Sequence, residues 1–154
     1  MSAPNHPNST LVAIAWLAGV LGLRPSGVAS MLPRDNTTWG ASGFVTVDVV
    51  GGSPDAYLPV GRPVLQVDTW AVKPDTGRPL WGVANNLCSA IIRATRLEST
   101  LRRTLTLPSG YPQARLLECQ ALTEPRRLYG DDASYAHYQF DLYMHWTLVE
   151  ASDV

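Results

Sequence analysis

Charged side chains are scarce in this chain of 154 residues, and lysine is almost missing. Charged residues make up 16% of the sequence, against about 25% in an average globular protein, and Lys73 is the single lysine. The formal net charge of −1 leaves no basic excess, which excludes nucleic-acid binding through bulk electrostatics. Long apolar runs are also missing, because none reaches the ~20 residues that a membrane span requires.

Cysteine is scarce as well. Cys88 and Cys119 are too few for a disulfide scaffold, so we expect two free thiols, while sequence spacing alone leaves a bridge between them open. Residues 11–23 form an uncharged run of signal-peptide length. Because no Lys or Arg precedes that run, we interpret it as a buried helix and expect synthesis in the cytoplasm.

The length and the 45% hydrophobic content predict one domain with its own core. Residues 1–8 contain two prolines and two asparagines, a composition that is typical of an extended segment. The expected organisation is therefore an N-terminal arm over residues 1–8 and a single α+β domain over residues 9–154.

Apolar periodicity predicts two main helices and several strands. One helix follows Ser9 or Thr10 as its cap and runs to about residue 21, and the other covers about residues 79–96. Strands are predicted at residues 44–50, 63–72, 104–107, 114–123 and 136–148, a short helical turn at residues 28–32, and a loop at residues 124–134. This order indicates an α+β fold, with an antiparallel sheet of about four to five strands and two helices packed on one face.

The strongest strand pattern, at residues 136–148, also carries the residues best able to bind a metal. His137, Asp141 and His145 share one face of that strand. A spacing of four strand residues is ~13 Å, too long for two ligands of one metal ion, so we interpret this face as a solvated or subunit-facing polar strip. The sequence contains no nucleotide-binding or hydrolase motif. We therefore expect no catalysis, no cofactor and no metal.

Three segments together resemble a known family, the tail terminator (tail completion) proteins of long-tailed, non-contractile bacteriophages. The first segment is Val-Val-Gly-Gly at residues 49–52, and the second is Arg-Pro-Val-Leu-Gln-Val-Asp-Thr-Trp-Ala at residues 62–71. The third is the helix near Pro79 that carries Ala84 and Leu87. A long strand with aromatic residues follows in the family, and here its aromatic residues are Tyr135, Tyr138, Phe140 and Trp146.

The resemblance implies a structural virion protein without catalysis or cofactor. Family members form a hexameric ring that caps the tail tube, ends its polymerisation and docks to the head connector. The implied partners are copies of this chain, the tail tube protein and a connector or stopper protein. DNA would pass through the ring without specific recognition, no membrane is involved, and the implied location is the head–tail interface of the virion.

Arginine and aromatic residues are enriched at protein interfaces, where lysine is depleted. The 11 arginines of this chain fit that bias. Candidate contact residues in the predicted loops are Trp39, Asp55, Tyr57, Arg126, Arg127, Tyr129, Asp131 and Asp132. The polar strip adds His137, Gln139 and Asp141 as candidates for contact with a neighbouring subunit, since closed rings join two different patches of each subunit.

Two alternatives remain open at this point. Another head–tail joining protein, such as a stopper or an adaptor, also forms rings. A small α+β enzyme or ligand-binding domain is the alternative of a different class. It predicts a monomer or dimer with one apolar pocket that holds convergent polar groups.

Overall fold

The computed structural model describes residues 6–22, 27–54, 58, 60–128 and 135–149. Two α-helices and seven β-strands make up this part of the chain. The helices are α1 (Ser9–Leu21) and α2 (Trp81–Thr95), with a 3-10 helix at Glu98–Thr100. The strands are β1 (Val28–Ala29), β2 (Phe44–Pro54), β3 (Val60–Ala71), β4 (Thr104–Leu105), β5 (Gln113–Ala121), β6 (Arg126–Arg127) and β7 (Ala136–Val149). No described helix is long and apolar enough to cross a membrane.

The helix ends follow local chemistry. The side chain of Asn8 accepts a hydrogen bond from the Leu11 N–H at 2.9 Å and caps α1, so the cap lies just before the Ser9 or Thr10 that we expected. Gly22, with φ of 63°, ends α1 in the left-handed conformation that glycine adopts most readily. The apolar face of α2 buries Ala84, Cys88, Ile91 and Ala94 against the rest of the fold.

The α+β class with two helices is confirmed, and the expected antiparallel sheet of about four to five strands is matched in part, with two differences. The described sheet has seven strands in the order β1-β2-β3-β7-β5-β4, with β6 paired to β7 beside this path. The β1–β2 pair is parallel, whereas every other pair is antiparallel.

The additional strands are two residues long, too short to leave a periodic signal. Residues 28–32 were expected to form a helical turn, yet β1 lies there and pairs with Val45 and Thr46 of β2. Residues 124–134 were expected to form a loop, yet β6 pairs with Gln139 and Tyr138 of β7. In both cases a neighbouring strand, remote in sequence, supplies the hydrogen bonds that define the element.

The β2–β3 hairpin is confirmed and extends further than predicted, because β2 continues to Pro54 and β3 begins at Val60. The register shifts between Val49 and Gly51, a β-bulge that leaves one residue unpaired. Gly52 has φ of 89°, and a Cβ atom there would lie 2.3 Å from the Arg62 carbonyl oxygen. Gly52, which follows the bulge, therefore lets β2 lie against β3 where a side chain would clash.

Strand β7 is the centre of the sheet. It pairs with β3 along one edge, and with β5 and then β6 along the other. Its length of 14 residues is accounted for by these partners within the chain. The predicted alternation is also confirmed, with Phe140, Leu142, Met144 and Trp146 buried on one face.

Both helices pack on that same face, where side chains of α1, α2 and five strands form the main core. Among the described residues, no helix packs on the opposite face of the sheet. We call this second face the open face. Strand alternation and register place on it Thr46, Asp48, Gln66, Asp68, Trp70, Glu118, Gln120, Arg126, His137, Gln139, Asp141, Tyr143 and His145.

Candidate functional site

The open face is organised around one carboxylate, that of Asp68 in the middle of β3. The pairing of β3 with β7 sets Asp68 directly opposite Gln139. The pair of Trp70 with His137 lies two residues further along on the same face. Asp68 Oδ1 lies 2.6 Å from His137 Nε2 and accepts a hydrogen bond from Gln139 Nε2 at 3.0 Å. Its other oxygen, Oδ2, accepts a hydrogen bond from Gln66 Nε2 at 3.2 Å.

Asp68 is only 7% exposed although it lies on the face without a helix. Burial of a carboxylate is costly unless hydrogen bonds satisfy its oxygens. The three contacts to His137, Gln139 and Gln66 provide that compensation, and they order side chains from two strands around one point. The cluster is therefore a rigid patch of the open face.

Aromatic stacking continues the cluster toward β2. The rings of Trp70 and His137 are stacked, with centroids 3.6 Å apart and an interplanar angle of 16°. The indole N–H of Trp70 donates to Thr46 Oγ1 at 3.0 Å. Tyr135 meets the edge of the Trp70 ring at a centroid distance of 6.4 Å. One connected set of contacts thus runs across β2, β3 and β7.

Arg126 extends the cluster in the other direction. Its Nη2 donates to Gln139 Oε1 at 2.5 Å, across the β6–β7 pair. Arg127, the next residue, points to the opposite face, where its guanidinium lies 4.0 Å from the centroid of the Trp81 ring. Arg126 and Arg127, both predicted as contact residues, therefore have separate surroundings.

The structure brings together Arg126, His137 and Gln139 of the candidate contact residues. Asp141 lies on the same face, half-buried, and its backbone N–H donates to Thr123 Oγ1 at 2.9 Å. Trp39 lies in a small core cluster with Phe44 and is 4% exposed, so it has little surface for a partner. The remaining candidates, Asp55, Tyr57, Tyr129, Asp131 and Asp132, lie outside the described residues.

Sequence reasoning did not single out Asp68 and Trp70 as site residues. A signal was present, because aspartate is depleted in strands and period two puts Gln66, Asp68 and Trp70 on one face of β3. The missing information was the register between β3 and β7, which connects these residues to His137 and Gln139.

A histidine paired with a carboxylate is also the arrangement by which enzymes orient a base. Here the imidazole of His137 is packed under Trp70, and its Nε2 is engaged by Asp68. One hydroxyl beside the cluster, Thr46 Oγ1, accepts a hydrogen bond from the Trp70 indole N–H. Among the described residues, no group of three or more His, Cys, Asp or Glu side chains could hold a metal ion.

Both thiols are buried and free, as expected. Burial raises the pKa of the Cys88 thiol to about 11, against a smaller lowering by its contact with Thr69. Burial likewise raises the pKa of the Cys119 thiol to about 12. Protonated, buried thiols are poor nucleophiles, so neither cysteine is a candidate for covalent chemistry.

Two open grooves lie outside the open face. One, of about 640 Å³, separates α2 from the link between β5 and β6, and its walls include Arg93, Arg96 and Glu124. The other, of about 260 Å³, lies between residues 6–9 and the β2–β3 hairpin. In it the His6 ring lies 5.9 Å from the Trp146 ring, and the Trp146 indole N–H donates to Ser9 Oγ at 2.9 Å.

No family model and no curated protein matches this chain. Among solved structures, a chain from the "Virion of native gene transfer agent (GTA) particle" is 17% identical, with 90% of this chain and 89% of that chain covered. The TM-score is 0.43. A likeness this weak carries no weight for fold or function.

Proposed function

We propose that this chain is a structural virion subunit of the tail terminator type. In this role copies of it form a ring on the last ring of the tail tube, end its polymerisation and offer a docking face to the head connector. The observation that carries the proposal is the open face, a broad surface of ordered polar and aromatic side chains with no helix on it among the described residues.

The chemistry of that face suits contact with other proteins. Interfaces are enriched in aromatic residues and arginine, and the Asp68 cluster holds Trp70, His137 and Arg126 in fixed positions before any partner binds. Preordered side chains lose less conformational entropy on association, so they favour binding. The same contacts make the cluster a poor substrate site, since the imidazole is already packed.

The segments that resemble the tail terminator family form one continuous unit of the fold. Residues 49–52 make the bulged end of β2, residues 62–71 lie in β3, and the helix near Pro79 is α2. These elements are neighbours in the sheet and on its covered face. The resemblance therefore rests on a contiguous substructure and not on scattered matches.

Electron micrographs of phage lysates test the tail terminator role. Without the gene for this chain, we expect tail tubes that grow beyond their normal length, and the wild-type gene supplied in trans should restore that length. Tails of normal length in the deletion would contradict the proposal. Normal tails beside heads that leak DNA would instead favour a stopper or an adaptor.

The mass of the purified chain, measured by native mass spectrometry, tests the ring directly. A closed ring, hexameric as in the tail terminator family, is the expected species. A stable monomer or dimer with a small molecule bound in one of the two grooves would favour the ligand-binding alternative.

A further inference from the structure

The described sheet has two free edges. At one edge, β1 pairs only with Val45 and Thr46, so residues 47–54 of β2 pair with β3 on one side and have no partner strand on the other side among the described residues. At the other edge, β4 pairs only with Ala114 and Arg115 of β5, and the Arg102 N–H adds a hydrogen bond to the Leu116 carbonyl. Residues 117–121 of β5 therefore also lack a partner strand on the side away from β7, among the described residues.

Free strand edges expose unpaired N–H and C=O groups, and stable monomers protect them with lysine, proline, inward charges or short length. Residues 47–54 contain no lysine, and their only proline is Pro54 at the end. Each free strand has one bulge, near Val50 in β2 and near Leu117 in β5. Residues 49–53 of β2 and residues 118–121 of β5 contain neither lysine nor proline.

The two free edges lie at the same level of the sheet, as the pairing register shows. One row of directly paired residues consists of Val49, Leu65, Leu142 and Ala121. The next row consists of Gly51, Val64, Tyr143 and Gln120. Each row thus begins on the free part of β2 and ends on the free part of β5.

The strand directions are also compatible. Antiparallel pairing relates β2 to β3, β3 to β7, and β7 to β5, so β2 and β5 run in opposite directions. A second copy rotated about an axis along the strands would therefore present its β2 antiparallel to β5 of the first. Such a contact joins two different patches and can close into a ring.

Exposed apolar side chains cluster at these edges. Among the described residues, large hydrophobic side chains are strongly exposed at six positions, and three of them lie here: Val49, Val50 and Leu122 at 46%, 54% and 49%. In the row that joins the edges, Val49 of one copy would lie beside Ala121 of the next, on the face that carries the helices. Pairing of the edges would remove this apolar surface from water.

We propose that copies of this chain associate by sheet continuation, with residues 49–53 of β2 in one copy paired antiparallel to residues 118–121 of β5 in the next. This contact rests on the ring in the proposed function and specifies how its subunits are joined. The occupant of each edge is a second copy of the chain, because the two edges match each other in level, direction and face.

Charge substitutions at the two edges test the contact. Val50→Lys and Leu122→Lys each place a charge at one edge, and Leu97→Lys is the matched control, since Leu97 is 45% exposed and lies in the link after α2. We expect loss of the ring by native mass spectrometry in both edge variants and an intact ring in the control. Unchanged circular dichroism spectra will show that the edge variants are folded.

Disulfide trapping tests the register. The variant with both Gly51→Cys and Gln120→Cys has one thiol on each edge, at the same level of the sheet. In the proposed contact the two residues are antiparallel partners of neighbouring copies, and their Cα atoms are close enough for a disulfide. We expect a ladder of covalent oligomers on a non-reducing gel. Gly51→Cys with Asn85→Cys is the control, because Asn85 is exposed on α2, and it should give no ladder.

The outcomes separate the contact from the ring. A wild-type ring that survives both edge substitutions would overturn the edge contact and leave the ring standing. If the edge variants lose the ring but the chain with Gly51→Cys and Gln120→Cys gives no ladder, the proposed register is overturned. A wild-type chain that is monomeric at every concentration would overturn both proposals.

Discussion

Two donors converge on a single oxygen, Oδ1 of Asp68, and the Gln66 amide donates to the other oxygen of the same carboxylate. A hydrogen bond to a charged acceptor contributes more to stability than one between neutral groups. Removal of the acceptor also leaves its donors without a partner. The desolvation penalty of those unpaired donors is larger than the net contribution of the hydrogen bonds to stability. The open face therefore depends on one carboxylate.

Asp68→Ala should lower the free energy of unfolding by about 1–3 kcal/mol, because the donors of His137 and Gln139 lose their acceptor in a half-buried place. Urea unfolding followed by circular dichroism measures the change. Asp48→Ala is the control, since Asp48 is exposed on the same face, and its effect should stay within about 0.5 kcal/mol. Equal losses in the two variants would contradict the role assigned to Asp68.

The buried cysteines predict slow thiol chemistry. With pKa values of about 11 and about 12, both thiols stay protonated at pH 8 in the folded chain, so a thiol reagent should react only after denaturation. The folded pKa lies above the ordinary value of 9.0. Because the folded pKa is the higher one, the contribution of the buried thiol to the free energy of unfolding is fully present below pH 9. It is lost as the pH rises through the folded pKa of about 11. Fast labelling of the native protein at pH 8 would contradict this prediction.

At the scale of elements, the close approach of β3 to β7 is set by Gly61. A Cβ atom at residue 61 would lie 2.3 Å from Nε1 and 2.5 Å from Cε2 of Trp146, and Trp146 is 2% exposed in the core. The ring therefore packs directly on the backbone of the paired strand. Any side chain here would have to displace Trp146, whose indole N–H also binds Ser9.

Gly61→Ala should lower the free energy of unfolding by about 1–3 kcal/mol, the range for overpacked cores. The same change at Gly19 is the matched control, because no atom lies within 4 Å of a Cβ there and Gly19 is inside α1. Gly19→Ala should raise stability by about 0.5–1 kcal/mol, since alanine is the better helix former. Thermal unfolding of the two variants should shift in opposite directions, and a shared direction would refute the packing explanation.

Elements with long apolar repeats could be predicted from the sequence. The period-two pattern of β7 and the helical pattern of α2 each extend over many residues, so both elements were located to within about two residues at each end. β1 and β6 could not be found, because two residues have no period and their pairing depends on Thr46 and Gln139, remote in sequence. For the same reason His137 and Gln139 were predicted as site residues, but their partner Asp68 was not.

At the scale of the whole molecule, association should appear in the stability of the fold. A ring that forms only from folded chains stabilises them by mass action, so the Tm should rise with protein concentration. In the Val50→Lys variant the Tm should be independent of concentration, because the variant stays monomeric. Calorimetry over a hundredfold concentration range measures both, and a wild-type Tm that does not move would contradict association in solution.

The central position of β7 also determines when the sheet can be completed. Without this strand, the β1–β2–β3 half and the β4–β5 half share no backbone pairing among the described residues, and β7 is the last described strand to leave the ribosome. Pairing between residues so distant in sequence is slow to form. Folding is thus completed after translation of residue 149, and a chain that stops short of β7 would leave two unjoined half-sheets exposed to aggregation and proteolysis.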